Sequence, residues 1–533
     1  MTFASFGFIC FVVLVVLLYF LTPRKYRWIS LLVSSYAFFW MNSRLLVLIL
    51  FGTTVITWLT GLWIWSSNKK NSAAEKQQAA ELTREELKTL KEKNKKRKRR
   101  ILILGIILNL GTLVVLKYTN FVFSDIERIA GAWGGNVSLP RINLLLPIGI
   151  SFYTLQSIAY LVDIYRNKTE PDRNPGKFML FMSFFPQIVQ GPIARHHQLA
   201  HQLYEGHDFD YRRLKFGIQL MLWGWIKKLV IADRLAIPVN EIFNHYGSYS
   251  GLLVFLGAAM YGIQVYADFS GGMDIARGVA HILGIELELN FKQPYFSVSI
   301  EDFWRRWHIT LGGWMRDYIF YPLSLSRPFA SLSRKTRKIL GPFIGKRLPS
   351  FLAMFIVYFL VGLWHGPDWK YILYGVWNGI FIVSGIVLEK AYDTARKKSR
   401  VPENSITWKL FQMVRTFILI TFGRFFSRAL DSGAAIAMIG ASFHHWWDLS
   451  FLLDGTMTTL GLDQANWNVL LAAILLVLCV DYLHEKGVRI REAISRQWIV
   501  FRWLIYIAAV LFILIFGIYG PEYNAASFIY QQF

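Results

Sequence analysis

Acidic residues are scarce in this chain of 533 residues: 34 Asp and Glu stand against 58 Lys and Arg, a formal net charge of +24. Charge of either sign is also scarce, at 17% of residues, while 54% are hydrophobic. A soluble domain carries about 25% charged residues, so this balance argues against a water-soluble globule. Cysteine is nearly absent. Cys10 and Cys479 both sit inside apolar runs, which excludes a disulfide framework and a thiolate metal site and leaves packing as their expected role. No phosphate-binding glycine loop, dinucleotide fingerprint or Gly-x-Ser-x-Gly elbow occurs. The basic excess carries no nucleic-acid-binding motif. It fits instead the Lys and Arg that gather in cytoplasmic loops and meet anionic lipid, so the bilayer rather than nucleic acid is the expected partner.

What the chain has in abundance is long apolar runs. Phe8 to Leu21, Leu45 to Trp65, Ile101 to Leu116, Phe351 to Trp364 and Trp503 to Tyr519 hold almost no charge. A helix spans the hydrocarbon layer with about 20 apolar residues, and on that basis we expect an all-α polytopic membrane protein of about eleven spans, plus shorter pieces that enter and leave on one side. The first run has no basic region before it and no small-residue cleavage site after it, so it reads as a retained span rather than a signal peptide. The basic loop Pro23 to Arg27 and the cluster Lys95 to Arg100 both fall inside under the positive-inside rule, which puts the N-terminus outside. The expected division is N-terminal spans over residues 1–65, a basic cytoplasmic insert over 66–100, a core over 101–390 and C-terminal spans over 391–533. Phe178 to Val189, followed by Gln190-Gly191-Pro192, is too short and interrupted to span. Such backbone is tolerated at membrane depth only where protein or a wet cavity satisfies it, so a re-entrant piece is expected there. No fixed-period repeat and no matched, broken halves appear, which argues against an inverted-repeat transporter.

Ionisable groups at membrane depth are costly and are therefore candidates for function. His308 lies in Ile300 to Leu311, where Glu301, Arg305 and His308 fall at i, i+4 and i+7 and would share one face of a continuous helix. An interfacial helix with its tryptophans in an aromatic belt would show the same pattern. His365 ends a long apolar span, and Gly366 and Pro367 stop the helix just after it. An imidazole there is suited to proton transfer near neutral pH; a core histidine bonded to a carbonyl fits the sequence equally well. His196, His197, His201 and His207 cluster in one loop at a spacing that fits no standard metal site.

Several blocks together carry a family resemblance: Pro147 to Gln156 (PIGISFYTLQ), Phe185 to Ile193 (FPQIVQGPI), Tyr266 to Gly271 (YADFSG), Asn290 through Trp304 to Leu311 (WRRWHITL) and on to Tyr318, Trp364 to Gly366 (WHG), and the C-terminal Phe528-Ile529-Tyr530. In this order they resemble the membrane-bound O-acyltransferases, in particular the alginate O-acetylating branch. The resemblance implies a multi-helix fold with a central tunnel, His365 as the catalytic histidine and His308 in support. It further implies Arg305, Glu301, Asp302, Trp364 and Asp268 around them, with no resident metal or cofactor. It implies acetyl-CoA as the donor, a polysaccharide acceptor, an extracytoplasmic partner resembling SGNH hydrolases, and a place in the bacterial cytoplasmic membrane. The chain departs from that branch in its basic insert and in its ending, Tyr530-Gln531-Gln532-Phe533. Two rival readings remain at this point: D-alanyl transfer to teichoic acid from a carrier protein, and a polysaccharide transporter or channel that needs no base.

Overall fold

The computed structural model describes residues 2–78, 82–142 and 145–519. The Phe528-Ile529-Tyr530 block and the ending Gln531-Gln532-Phe533 lie outside the described residues. Among those described, regular structure is helical; the lone strand-like feature is an antiparallel bridge between Phe291 and Trp307.

Two compact units divide the chain: residues 3–215 with 279–288, and residues 216–278 with 289–533. In the first unit, helices start where the sequence supplies caps. The Ser5 hydroxyl accepts from the Phe8 amide to open Phe6–Leu21, and Asn174 with Pro175 opens Pro175–Ser183. The basic insert carries helix. Val47–Gln78 continues into it as helix, and Arg84–Ala132 leaves it through a capping box in which Thr83 and Glu86 bond reciprocally. At 49 residues this second helix is about 70 Å long, more than twice the roughly 30 Å hydrocarbon layer, so its basic half projects into water.

Among the described residues, eight helical stretches are long and apolar enough to cross a membrane, and one of them, Arg24–Lys70, is two helices joined by a short turn. Phe6–Leu21 and Ser432–Ala441 are shorter apolar helices. Tyr211–Trp225 runs into a π-helical segment, Ile226–Ala232, and then into Asp233–Asn244. Such π-turns often mark functional sites. The expected re-entrant piece is two short helices, Pro175–Ser183 and Phe185–Ile188, broken at Phe184, and every residue from Leu180 to His196 is buried. Irregular backbone in this position is thus wrapped by protein. Cys10 and Cys479 are both exposed on the outer faces of their helices, which corrects the expectation that they pack in the core.

In the second unit the longest helix, Arg327–His365, bends at Gly341 and ends at His365, because Gly366 turns fully extended. Asp368 then caps Trp369–Val387 by accepting from the Lys370 amide at 2.9 Å. The two helices lie close because glycine lines their contact. A Cβ on Gly362 would overlap the Tyr371 carbonyl oxygen, and one on Gly375 would overlap that of Tyr358. Small residues that let backbones approach are how helices associate without a hydrophobic drive in lipid.

Candidate active site

His308 does not lie on a helical face. The helix that carries Glu301 and Arg305, Ile300–Arg306, stops one residue short of Trp307, and His308 adopts φ 46°, ψ 52° before Ile309–Met315 begins. A left-handed conformation costs a residue with a side chain of order 1–3 kcal/mol unless its surroundings impose it. The surroundings here are specific. Phe291 pairs with Trp307 in the bridge, the Lys292 amide donates to the Arg306 carbonyl at 2.9 Å, and the Ile309 amide donates to the Asn290 carbonyl at 3.1 Å. The Asn290 side-chain carbonyl also accepts from the Thr310 amide and hydroxyl, at 2.9 and 2.7 Å. A segment just ahead of the helix thus forces the break, which a periodicity argument within Ile300–Leu311 cannot see.

The single-stripe expectation is corrected accordingly. Arg305 pairs with Glu301 on an exposed surface, their side chains 68% and 48% accessible. Asp302 serves the local fold: it accepts from Arg306 Nε at 3.2 Å and from the Val298 amide at 3.3 Å, while its own amide donates to Ser299. Arg306 extends this pairing to Glu485 at 2.7 Å.

His308 turns inward instead and is 2% exposed. Its ring lies 4.9 Å from that of Phe269 and 5.8 Å from the Trp364 indole, edge-on to both. His365, 7% exposed, approaches the same indole at 5.1 Å and the Tyr374 ring at 5.9 Å. The structure therefore brings together His308, Trp364 and His365 from two distant segments. Trp307, the chain neighbour of His308, is fully buried and stacks on Phe303 at 5.3 Å.

One charged group joins this cluster that the sequence reading missed. Arg424, 3% exposed, holds its guanidinium 4.7 Å over the Trp307 ring and donates to the Tyr374 hydroxyl at 3.3 Å. Burial of a guanidinium among aromatics is consistent with cation–π support. The signal was present, since an arginine inside the apolar run Phe417 to Phe426 meets the same criterion that singled out the histidines.

Asp268 belongs to a separate arrangement. It accepts from the Lys228 ammonium at 2.7 Å, and Asp233 lies 2.9 Å from the same nitrogen. All three side chains are no more than 3% exposed, and Lys228 sits on the π-helical turn. The chain neighbour of Asp268, Phe269, meets the His308 ring. In the first unit His196 is bonded to Asp172 at 2.7 Å and packs on Tyr160 and Phe181, the geometry of a satisfied core histidine.

Comparison with known proteins gives a consistent set. The sequence profile of the membrane-bound O-acyltransferase family matches residues 171–428. The protein named "Probable alginate O-acetylase AlgI" of Pseudomonas syringae pv. tomato is 33% identical over 471 residues, covering 88% of this chain and 80% of that one. Its namesake in Pseudomonas aeruginosa is 32% identical over 448 residues, 83% and 75% of the two chains. The "Peptidoglycan O-acetyltransferase" of Helicobacter pylori is 31% identical over 368 residues, 64% of each chain.

Proposed function

Because the chain belongs to the membrane-bound O-acyltransferase family, and is thus a multi-pass membrane O-acyltransferase, we propose that it O-acetylates a polysaccharide outside the cytoplasmic membrane, with His365 as the proton acceptor. The observation that carries this reading is the meeting of two buried imidazoles at one indole, where a spanning helix ends.

The reaction joins a hydroxyl to a thioester carbonyl. His365 takes the hydroxyl proton as the oxygen–carbon bond forms; the tetrahedral intermediate then breaks its carbon–sulfur bond, and the imidazolium returns the proton to the departing thiolate. A positioned base of this kind contributes about 10²- to 10⁴-fold. The oxyanion needs a donor placed in advance. Exposure of Arg305 removes it from that task and favours His308, with Arg424 as the nearby fixed positive charge. The aromatic shell of Trp364, Phe269 and Tyr374 keeps bulk water from the thioester. Acetyl-CoA from the cytoplasm is the proposed donor, and an extracytoplasmic SGNH-hydrolase-like protein is the proposed partner that completes transfer to the polymer. Both follow from the family resemblance.

The test is acetate released by alkali from surface polysaccharide of cells carrying wild type, His365→Ala or His365→Gln. Acetate should vanish in both variants while polymer yield and protein level stay the same. Retained acetylation would remove His365 from the chemistry. Loss of polymer export together with acetylation would point to transport instead.

A further inference from the structure

A cavity of about 700 Å³ lies within the C-terminal unit; His484 lines it, while His308, His365 and Trp364 do not. Its walls come from the segment Gln219–Lys227, the helix Leu252–Ile282, the residues just before the Phe291 bridge, and a stretch from Leu476 to Phe512. That last stretch falls beyond the family profile, which ends at residue 428. The cavity is therefore partly a product of the C-terminal helices rather than of the core shared across the family.

Its chemistry is two-sided. One wall is apolar and formed by Ile505, Ala508 and Phe512 of the last helix. Only 6% of that helix's apolar window is buried in the protein, so its outer face is left to lipid and the cavity lies one helix away from the bilayer. The other wall carries Lys227, Arg277 and Arg491 against the carboxylates Asp274 and Asp481. Asp274 is matched twice, by Lys227 at 2.5 Å and Arg277 at 3.4 Å, and Asp481 accepts from the Tyr266 hydroxyl at 2.7 Å. The Arg491 guanidinium donates to the Phe216 carbonyl at 3.4 Å, with Asp274 and Glu492 as its nearby negative charges. Burial, with repulsion from Arg277 adding to it, holds Arg491 below the usual arginine range. Two guanidiniums that repel each other beside an apolar wall form a site suited to a phosphate. The Gln219 amide, tied to the Tyr506 hydroxyl at 2.9 Å, borders the same space. Arg491 lies among Lys486, Arg489 and Arg496, and the positive-inside rule places this end at the cytoplasmic surface.

We propose that this cavity binds an anionic phospholipid of the cytoplasmic leaflet, its phosphate held by Arg277 and Arg491 and one acyl chain laid along Ile505, Ala508 and Phe512. The volume falls in the range of specific amphiphile and ligand sites, about 300–1,000 Å³. Basic pockets between helices on the cytoplasmic side are suited to acidic headgroups.

The test uses the full-length protein, stripped of lipid in neutral detergent, with native mass spectrometry and thermal unfolding as readouts. Phosphatidylglycerol should bind with 1:1 stoichiometry and raise the melting temperature; phosphatidylcholine should do neither. Arg491→Gln should weaken phosphatidylglycerol binding about tenfold, as expected for one charge-assisted contact. Arg496→Gln, equally basic but outside the cavity, should leave it unchanged. Ala508→Trp should block lipid while leaving the wild-type melting temperature in lipid-free detergent. Equal binding of both lipids, an unaffected Arg491→Gln variant, or displacement of the lipid by inorganic phosphate or coenzyme A would each overturn the proposal. The last result would mean that the site takes a soluble anion.

Discussion

His308 and His365 meet the same indole, Trp364, each edge-on, at 5.8 and 5.1 Å between ring centroids. One comes from a strained joint between short helices, the other from the end of a spanning helix. Trp364 thus sets the spacing of two groups that the chain itself holds far apart.

Trp364→Ala should therefore damage transfer through geometry as well as stability. Truncating a buried tryptophan costs about 3–5 kcal/mol, so Trp364→Phe is the more telling variant. It should keep the fold, with a melting temperature within a few degrees of wild type, and lose about tenfold in turnover, because the ring that spaces the histidines is smaller. Single-turnover acetyl transfer with purified protein would measure this. Wild-type turnover in Trp364→Phe would leave the indole with a packing role alone.

Arg305 and Arg424 make a discriminating pair. Arg305 forms an exposed helix-surface ion pair with Glu301, and such pairs contribute about 0–1 kcal/mol. Arg305→Ala should express, fold and acetylate nearly as wild type. Arg424 is 3% exposed, lies over Trp307 and donates to Tyr374. Arg424→Gln removes the fixed positive charge, and it should lower acetyl transfer by about 10²-fold, the scale of one lost oxyanion-stabilising group. Equal activity of the two variants would dismiss Arg424 from the chemistry.

This contrast marks how far the sequence could be read. His308 and His365 stood out because ionisable groups at membrane depth are rare, and that physical rule holds without tertiary information. The end of the helix at His365 was legible too, since Gly366 and Pro367 are local signals. The break at His308 was not, because it is imposed by Phe291 and Asn290 pairing across to Trp307 and Thr310. Within Ile300 to Leu311 the periodicity is unbroken, so Arg305 looked like a neighbour of His308 when it faces away. Lys228 likewise gave no local signal; its partner Asp268 was noted, but the pairing joins residues far apart in sequence. The C-terminal aromatic ending falls outside the described residues and adds nothing to this comparison.

Lys228 is predicted to matter for folding rather than chemistry. It stands between Asp233 and Asp268, all nearly fully buried. Removing one member of a buried ion set leaves the others uncompensated and costs about 3–5 kcal/mol. Lys228→Met should sharply reduce the folded, detergent-extractable fraction seen by size-exclusion chromatography. Adding Asp268→Asn to Lys228→Met should recover part of it, since one stranded charge is then removed. If Lys228→Met alone extracts as well as wild type, the triad carries no stability.

The hairpin that ends at His365 gives the last prediction. Gly375 has no room for a side chain, because a Cβ there would overlap the Tyr358 carbonyl oxygen. The obstacle is backbone and cannot rotate away, unlike a side chain. Gly375→Ala must push the helices Arg327–His365 and Trp369–Val387 apart, at or above the upper end of the about 1–3 kcal/mol typical of overpacking. That displacement falls between Tyr358 and Tyr374, and Tyr374 is the residue whose ring meets His365 and whose hydroxyl accepts from Arg424. Gly375→Ala should therefore lose activity well beyond its loss of folded protein. Gly385, on the same helix with open space around it, is the control: Gly385→Ala should retain wild-type acetylation and gain slightly in stability from higher helix propensity. Acetylation per folded molecule, compared between the two variants, checks both arms. Equal activity in them would show that the spacing of this hairpin does not reach the site.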